Sequence, residues 1–215
     1  MTHDLTRDVA IVPAEAVLLF IDMQNYAAHP DGGEFTTMSP AERSTHDYYF
    51  NRLGKIALPN MQRLQVAARK SGVEVMYAVI ENLTLDGRDR SLDYKISGIN
   101  VAKGSWDAQV HDAIAPGEDE IVLRKNSSSV FVSTNIDYLL RSLGKRQVIL
   151  CGVVTDQCVE SAVRDACDLG YLVTLVPDAC ATQTAERQEA SVRAIKGYCR
   201  QRSADALCAE LEGLR

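Results

Sequence analysis

Short apolar runs alternate along the chain with segments of helical periodicity, and this alternation restricts the fold more than any other feature. Five runs are nearly continuous in apolar residues, as is typical of parallel strands that are covered on both faces. The runs are 16–21, 73–80, 120–123, 147–153 and 171–176, and a short sixth run lies near 198–202. This pattern predicts an α/β fold with a doubly wound, Rossmann-like parallel sheet and helices on both faces.

The segments between the runs begin and end with residues that favour helix termini. Pro59 suits the first turn of a helix, and Gly72 suits the position just after its end. Helices are predicted at 59–70, 135–143, 156–169, 184–196 and 203–211. We expect Thr134 to cap the second of these and Thr155 or Asp156 to cap the third. No repeat, linker or low-complexity tract interrupts the chain, so we expect a single domain spanning residues 1–215.

Two of the predicted connections are long, namely 26–47 after the first strand and 82–104 after the second. In an open α/β sheet, the loops that follow the carboxyl ends of the strands line the ligand crevice. Long loops in a compact domain are also often functional. We therefore expect both loops to border the site. The aromatic trio Tyr48-Tyr49-Phe50 is expected to serve in packing or in a subunit contact.

The charge and the cysteines argue against several classes of protein. The formal net charge is −6 and no Lys/Arg cluster forms a basic stripe, so nucleic acid is not an expected partner. No apolar stretch is long enough to span a bilayer and the first eight residues lack an apolar signal core, so we expect a cytoplasmic protein without a membrane partner. None of the six cysteines belongs to a C-x-x-C pair, which argues against a zinc or thioredoxin-like site.

The run Gly152-Val153-Val154-Thr155-Asp156-Gln157-Cys158 lies where the fourth predicted strand gives way to a helix. It puts the Cys158 thiol in the first turn of a helix, at the carboxyl end of a strand. Backbone N–H groups are unpaired there, and the helix dipole favours a negative charge. This position predicts a thiol that is biased towards the thiolate, which is the nucleophilic form. The other five cysteines are expected to be small buried apolar residues.

Two more polar side chains are predicted at the same edge of the sheet. Asp22 ends the first strand and Lys125 ends the third, and the carboxyl ends of parallel strands meet at one edge. A partly buried carboxylate can take the proton of a thiol, and a nearby ammonium group stabilises the thiolate. Asp22, Lys125 and Cys158 therefore form a candidate set of base, orienting cation and nucleophile without a histidine.

Three motifs of the chain resemble those of the isochorismatase-like cysteine hydrolases, nearest to the ureidoacrylate and N-carbamoyl amidohydrolases. The motifs are Asp22-Met23-Gln24-Asn25, then Lys125 with Ser128, Ser129 and Phe131, then 152–159 with 162–166. The resemblance implies a six-stranded parallel sheet of order 3-2-1-4-5-6 and catalytic roles for Asp22, Lys125 and Cys158. It also implies a cis peptide bond at Val153–Val154 and an oxyanion hole made by the backbone N–H groups of Val154 and Cys158.

The resemblance also implies an activity. It is the hydrolysis of a C–N bond in a small carboxamide or ureido or carbamoyl compound, through a thioester on Cys158, with release of ammonia or an amine. Isochorismatases, which cleave a vinyl ether, typically lack the cysteine, so Cys158 favours C–N cleavage. Relatives are commonly dimers or tetramers, so we expect a homodimer or homotetramer.

A metal site of the nicotinamidase type is not expected. Nicotinamidases usually carry Asp-x-His with a further His after the second strand, whereas 80–88 contains no His. The histidines His3, His29, His46 and His111 show no ligand spacing and are expected to be structural or exposed. We therefore predict that the protein uses no metal and no other cofactor.

Five side chains are candidate substrate contacts. They are Gln24, Glu81, Asn82, Trp106 and Ser128. Glu81-Asn82 and Lys103-Gly104-Ser105-Trp106-Asp107 are similar to the ureidoacrylate amidohydrolase type, although that type tends to carry a Tyr at the position of Ser128. A solvated turn is the alternative for Glu81 and Asn82, and core packing is the alternative for Trp106. Arg88 and Arg90 are either partners for a substrate carboxylate or ordinary surface charges.

Two other functions stay open at this point. A non-catalytic ligand-binding domain can use the same fold, because fold alone does not specify function. The second alternative is a vinyl-ether hydrolase of the isochorismate type, in which Cys158 takes no part in the reaction. A nucleotide-binding domain is disfavoured, because the chain contains neither a G-x-G-x-x-G turn nor a Walker A motif.

Overall fold

The computed structural model describes residues 5–214, and within them the chain forms one sheet of six parallel strands surrounded by helices. The strands are β1 (Ala16–Ile21), β2 (Glu74–Ile80), β3 (Ile121–Lys125), β4 (Gln147–Val153), β5 (Leu172–Ala181) and β6 (Arg200–Gln201). Their order across the sheet is β3-β2-β1-β4-β5-β6, and every neighbouring pair is parallel. The predicted doubly wound sheet and the strand order implied by the resemblance are confirmed.

Short and long helices connect the strands. They are α1 (Asn25–Ala28), α2 (Gly33–Thr36), α3 (Pro40–Ser44), α4 (Asp47–Arg52), α5 (Leu58–Ser71), α6 (Leu92–Ile96), α7 (Val130–Ser133), α8 (Ile136–Ser142), α9 (Glu160–Asp168), α10 (Ala185–Ala194) and α11 (Ala204–Glu212). Turns of π-helix cover Leu53–Ala57 and Thr155–Val159, and 3₁₀ turns cover Pro13–Glu15, Trp106–Ala108 and Asp112–Ile114. The two long predicted connections therefore contain helices α1 to α3 and α6. No helix within residues 5–214 combines the length and the apolar character that crossing a bilayer requires.

The central strands form the core, as the apolar runs indicate. All six residues of β1 and all seven of β4 are buried. Both strands have the bounds that the sequence predicts, because they lie in the middle of the sheet with helices on either face. Two residues of the aromatic trio pack here as well: Tyr49 is buried and donates to the Ala27 carbonyl at 2.7 Å, and Phe50 packs against the core.

Strand β5 runs five residues beyond its predicted end. The prediction stops before Pro177, which has no N–H to donate to a ladder. In the structure the register shifts between Leu150 and Gly152 of β4, and pairing resumes at Cys180. The residues of this bulge find other partners, since the Pro177 carbonyl accepts from Arg52 and the Asp178 carboxylate accepts from the Ala204 N–H.

Neither predicted helix cap is found as expected. The N-cap residue of α8 is Asn135, which has no side-chain cap, although the hydroxyl of Thr134 just before it accepts from the Ile136 N–H at 3.1 Å. The expected cap by Thr155 or Asp156 is wrong, because the N-cap residue is Val154 and no side chain caps that turn. The Thr155 hydroxyl is instead hydrogen-bonded to Gln188 at 2.7 Å, and the Asp156 carboxylate forms an ion pair with Arg187.

Gly152 allows β1 and β4 to approach closely beside the carboxyl edge of the sheet. Its φ is +132°, which residues with a side chain rarely adopt. A Cβ atom at this position would lie 2.1 Å from the Ile21 carbonyl oxygen. Because that oxygen belongs to the backbone of the neighbouring strand, it cannot move without disturbing the sheet.

The Gly152→Ala variant should therefore lose about 2–4 kcal/mol of unfolding free energy, through steric overlap with Ile21 and an unfavourable φ. Gly54→Ala is the matched control, since a Cβ atom there meets nothing within 4 Å. The control should change stability by no more than about 1 kcal/mol. Urea unfolding followed by circular dichroism measures both, and equal stabilities for the two variants would contradict the close approach.

Candidate active site

Three strands deliver one polar side chain each to the carboxyl edge of the sheet. Asp22 directly follows β1, Lys125 is the last residue of β3, and Cys158 lies in the π-helical turn after β4. Asp22 has a φ of +52°, a left-handed conformation that Asp tolerates better than most residues. Its N–H donates to the Ala78 carbonyl of β2 at 2.8 Å, which fixes the backbone at this point.

The three side chains meet in the interior. Lys125 Nζ lies 3.0 Å from Asp22 Oδ2 and 3.4 Å from Cys158 Sγ. The exposed fractions are 0 % for Lys125, 2 % for Asp22 and 7 % for Cys158. A carboxylate, an ammonium group and a thiol are thus in direct contact, nearly out of reach of bulk water.

The Lys125 ammonium has more neighbours than it has hydrogens. Besides Asp22 and Cys158, Nζ contacts the Tyr94 hydroxyl at 2.8 Å and the Ser127 carbonyl at 2.9 Å. An ammonium group has three N–H donors, so four neighbours compete for them. Within the described residues, neither oxygen of the Asp22 carboxylate receives a well-oriented hydrogen bond. The carboxylate therefore retains the capacity to accept a proton from a neighbour.

Burial and charge set the protonation of these groups. Burial raises the pKa of Asp22, and the Lys125 charge only partly opposes it. Burial lowers the pKa of Lys125, but the charges of Asp22 and Cys158 outweigh it and leave the pKa above its ordinary value. Burial, with the Asp22 charge beside it, raises the pKa of Cys158 to about 12. The resting site therefore holds a neutral thiol.

This outcome differs from the thiolate that the sequence predicts. A place in the first turn of a helix does favour the anion, as the prediction assumes. Burial of the sulfur next to a carboxylate acts in the opposite direction and is the stronger effect here. To act as a nucleophile, Cys158 would need a base, and the Asp22 carboxylate lies on the same Lys125 ammonium group.

A cavity of about 620 Å³ opens above the sulfur. Asp22, Val154, Cys158 and Ser128 are among the predicted site residues that line it. The Val153–Val154 peptide bond is cis, and both valines border the cavity beside the sulfur. The volume lies in the usual range for small-molecule sites.

Four of the five predicted substrate contacts are absent from the described lining of the cavity, because they hold the surrounding loops instead. The Gln24 amide is hydrogen-bonded to the backbone of Ile80 and Asp107. The Glu81 carboxylate accepts from the Gly104 N–H at 2.8 Å and forms an ion pair with Arg124.

The other two lie further out in the same loops. The Asn82 amide donates to the Asn100 side chain at 2.7 Å. Trp106 is 46 % exposed, so it does not pack in the core either, and its ring contacts that of His29 edge-on at 5.0 Å. Ser128 thus remains the one predicted polar contact among the described lining residues, apart from the catalytic candidates.

Several lining residues escaped the sequence analysis. Tyr26 and Glu34 come from the first long connection, Tyr94 from the second, and Gln183 follows β5. The Tyr94 hydroxyl lies 3.8 Å from Cys158 Sγ, and burial raises the pKa of this phenol, so it is neutral. The length of both connections indicated their importance, but a loop sequence does not reveal which side chain faces the sheet edge.

The described histidines take structural positions. His29 packs on Trp106, the His46 ring nitrogen Nδ1 is hydrogen-bonded to Gln183 at 2.8 Å, and His111 accepts from the Ala113 N–H at 3.2 Å. The prediction for His3 lies outside the described residues. Within residues 5–214, no group of three or more His, Cys, Asp or Glu side chains is arranged to hold a metal ion.

Comparison with known proteins places this geometry in a family. A model of the isochorismatase domain matches residues 16–210. The chain belongs to the isochorismatase family of hydrolases. The resemblance stated from the three motifs is thereby confirmed.

Individual relatives agree with the family assignment. The ureidoacrylate amidohydrolase RutB of Rhizobium rhizogenes is 29 % identical over 188 residues, which cover 80 % of this chain and 72 % of that protein. A cysteine hydrolase from Pseudomonas syringae pv. phaseolicola has a similar structure, with a TM-score of 0.79 at 22 % identity and full coverage of both chains. The N-carbamoylsarcosine amidase from Thermoplasma acidophilum gives a TM-score of 0.68 at 25 % identity, covering 89 % of this chain and 97 % of that one.

The effect of the Asp22 charge on Cys158 makes the thiol titration a direct probe of the site. The Asp22→Asn variant should lower the pKa of Cys158, because it removes a negative charge that raises it. The pH dependence of Cys158 alkylation by iodoacetamide, followed by mass spectrometry, measures this shift. Cys167 on α9 is the internal control in the same digests. An unchanged or higher pKa of Cys158 would show that the carboxylate does not act on the sulfur.

Proposed function

We propose that the protein is a cysteine-dependent amidohydrolase that cleaves a C–N bond of a small carboxamide or of a ureido or carbamoyl compound. The observation that carries the proposal is the contact of Lys125 with both Asp22 and Cys158 beneath a cavity of about 620 Å³. Two relatives support it, since their names describe a ureidoacrylate amidohydrolase and an N-carbamoylsarcosine amidase. The proposal covers one domain over residues 1–215, acting in the cytoplasm as a homodimer or homotetramer without a metal or other cofactor.

The first step forms a bond between sulfur and carbon. Asp22 takes the proton from the Cys158 thiol, and the Lys125 ammonium stabilises the thiolate as it attacks the substrate carbonyl. The electron pair of the C=O bond moves to oxygen. The backbone N–H groups of Val154 and Cys158 are proposed to stabilise this oxyanion, because both residues border the cavity beside the sulfur.

The second step releases the amine and regenerates the enzyme. Protonated Asp22 gives its proton to the leaving nitrogen, the C–N bond breaks, and a thioester on Cys158 remains. Asp22 then takes a proton from water, which attacks the thioester carbonyl. The C–S bond breaks, and the proton returns to the sulfur. Asp22 thus serves in turn as base and acid, for which its raised pKa is suited.

The Cys158→Ala variant should lose at least about 10⁴-fold in turnover while keeping its fold, since it removes the attacking atom. Ammonia release over a panel of carboxamide, ureido and carbamoyl compounds measures activity, and thermal unfolding measures stability. Cys167→Ala is the matched control and should retain activity. Undiminished turnover by Cys158→Ala would contradict the mechanism, and hydrolysis of isochorismate by that variant would favour a vinyl-ether hydrolase with a spectator cysteine.

The pH dependence of kcat/KM should follow the titration of Asp22. The carboxyl must be ionised to accept the thiol proton, so activity is lost as the pH falls through its pKa. Burial raises that pKa above the ordinary 3.8, and the acid limb should therefore have its midpoint above that value. Initial rates of ammonia release between about pH 3 and pH 9 measure the midpoint. An acid limb at or below 3.8 would exclude buried Asp22 as the base.

A further inference from the structure

The cavity above Cys158 is lined by acidic side chains. Asp22, Glu34 and Asp93 contribute carboxyl groups to its walls, and the described lining residues include no Lys, Arg or His. The buried Lys125 balances the charge of Asp22 through direct contact. Half-buried Glu34 and exposed Asp93 have no basic side chain beside them in the described lining, so their ionised carboxylates give the cavity a negative potential.

Glu34 is the more informative of these two carboxylates. It lies on α2, is half-buried, and forms no ion pair with any residue in the range 5–214. Burial raises its pKa, and the neighbouring His46 imidazole acts in the opposite direction. A half-buried carboxylate without an ion pair has lost part of its hydration, and this costs free energy. A bound cation would offset this cost.

The arginine side chains of the two long connections, 26–47 and 82–104, are hydrogen-bonded to other groups. Arg43 donates to the carbonyl oxygens of Pro30 and Phe35, outside the cavity lining. Arg90 donates to the carbonyl oxygens of Gly87 and Ile99.

Arg88, which the sequence offered with Arg90 as a partner for a substrate carboxylate, is exposed and pairs with Asp86 at 3.1 Å. An anionic substrate group would therefore enter the cavity without a cation to receive it. Asp22, which is 2 % exposed and pairs with Lys125, also lines the cavity, and neither of its carboxylate oxygens receives a well-oriented hydrogen bond within the described residues.

We infer that the substrate carries a positively charged group, such as an alkylammonium, at the end remote from its amide or ureido carbonyl, and that Glu34 receives this group. The cavity should correspondingly disfavour compounds that end in a carboxylate. The inference rests on the proposed amidohydrolase function for the reacting end of the substrate. Ureidoacrylate, named for the relative RutB, is itself a carboxylate, so the two proteins would differ in substrate charge.

Three ureas of similar length test the preference. 3-Ureidopropionate, N-propylurea and N-(2-aminoethyl)urea share the ureido group and end in a carboxylate, a methyl group and an ammonium group. At about pH 7.5, kcat/KM for ammonia release should be highest for the aminoethyl compound. It should exceed that of the carboxylate by about tenfold or more. Equal values, or the reverse order, would overturn the inference and leave the hydrolase function intact.

A second measurement needs no turnover and separates the two proposals. Methanethiosulfonates with a 2-aminoethyl, a methyl or a 2-sulfonatoethyl group modify Cys158 at rates that mass spectrometry can follow. Each rate is divided by the rate of the same reagent with free glutathione, which corrects for differences in intrinsic reactivity. The cationic reagent should react faster than the anionic one. If none of the three ureas is hydrolysed, the proposed ureido activity is wrong, but the inference about charge can still be tested. A ratio of the cationic to the anionic modification rate of one or below would overturn that inference.

Variants test whether Glu34 is the source of the preference for a cationic group. Glu34→Gln should reduce the cation-to-anion rate ratio severalfold, because it removes the charge with little change of shape. Glu118→Gln removes one charge from an exposed position near the amino end of β3, and it should leave the ratio unchanged. Asp93 is the other lining carboxylate that does not contact Lys125, and Asp93→Asn tests the same preference if Glu34→Gln unfolds at a lower temperature. An unchanged ratio in both cavity variants would overturn the assignment.

Discussion

The buried ion pair between Lys125 and Asp22 is the interaction on which the arrangement of the site depends. An ammonium group withdrawn from water is tolerated only when it is paired and hydrogen-bonded. Here Nζ contacts a carboxylate, a thiol, a phenol and a carbonyl, all within 3.4 Å. Because β2 lies between β3 and β1, the two strands are roughly 10 Å apart. A long side chain is therefore required to join their ends.

The same burial determines the chemistry. It raises the pKa of both Asp22 and Cys158, and Lys125 lowers both relative to what burial alone would give. The proton thus rests on sulfur, next to a carboxylate that is more basic than usual. In the proposed mechanism, Cys158 stays a neutral thiol until Asp22 takes its proton. A permanent thiolate would add one more negative charge to a cavity that acidic side chains already line.

The sheet and the three central side chains could be predicted because each depends on local pattern and on a general rule of topology. The apolar runs predicted the first and last residues of β1 and β4 correctly. The carboxyl ends of parallel strands necessarily meet at one edge of the sheet. The substrate contacts could not be predicted in this way. Gln24 and Glu81 are polar residues just after strands, as Asp22 is, yet their side chains are used by neighbouring backbone groups. Sequence position does not distinguish these two uses.

The sequence by itself determined the class of fold, the order of its elements and the family motifs that contain Asp22, Lys125 and Cys158. Tertiary structure alone decided that Cys158 rests as a thiol, that Tyr94 completes the surroundings of Lys125, and that Glu34 and Asp93 line the cavity without a basic side chain among the described lining residues. The reason is physical: periodicity and strand ends are properties of short segments. The pKa of a buried group and the charge of a cavity are sums over residues that lie far apart in the chain and meet only when it folds.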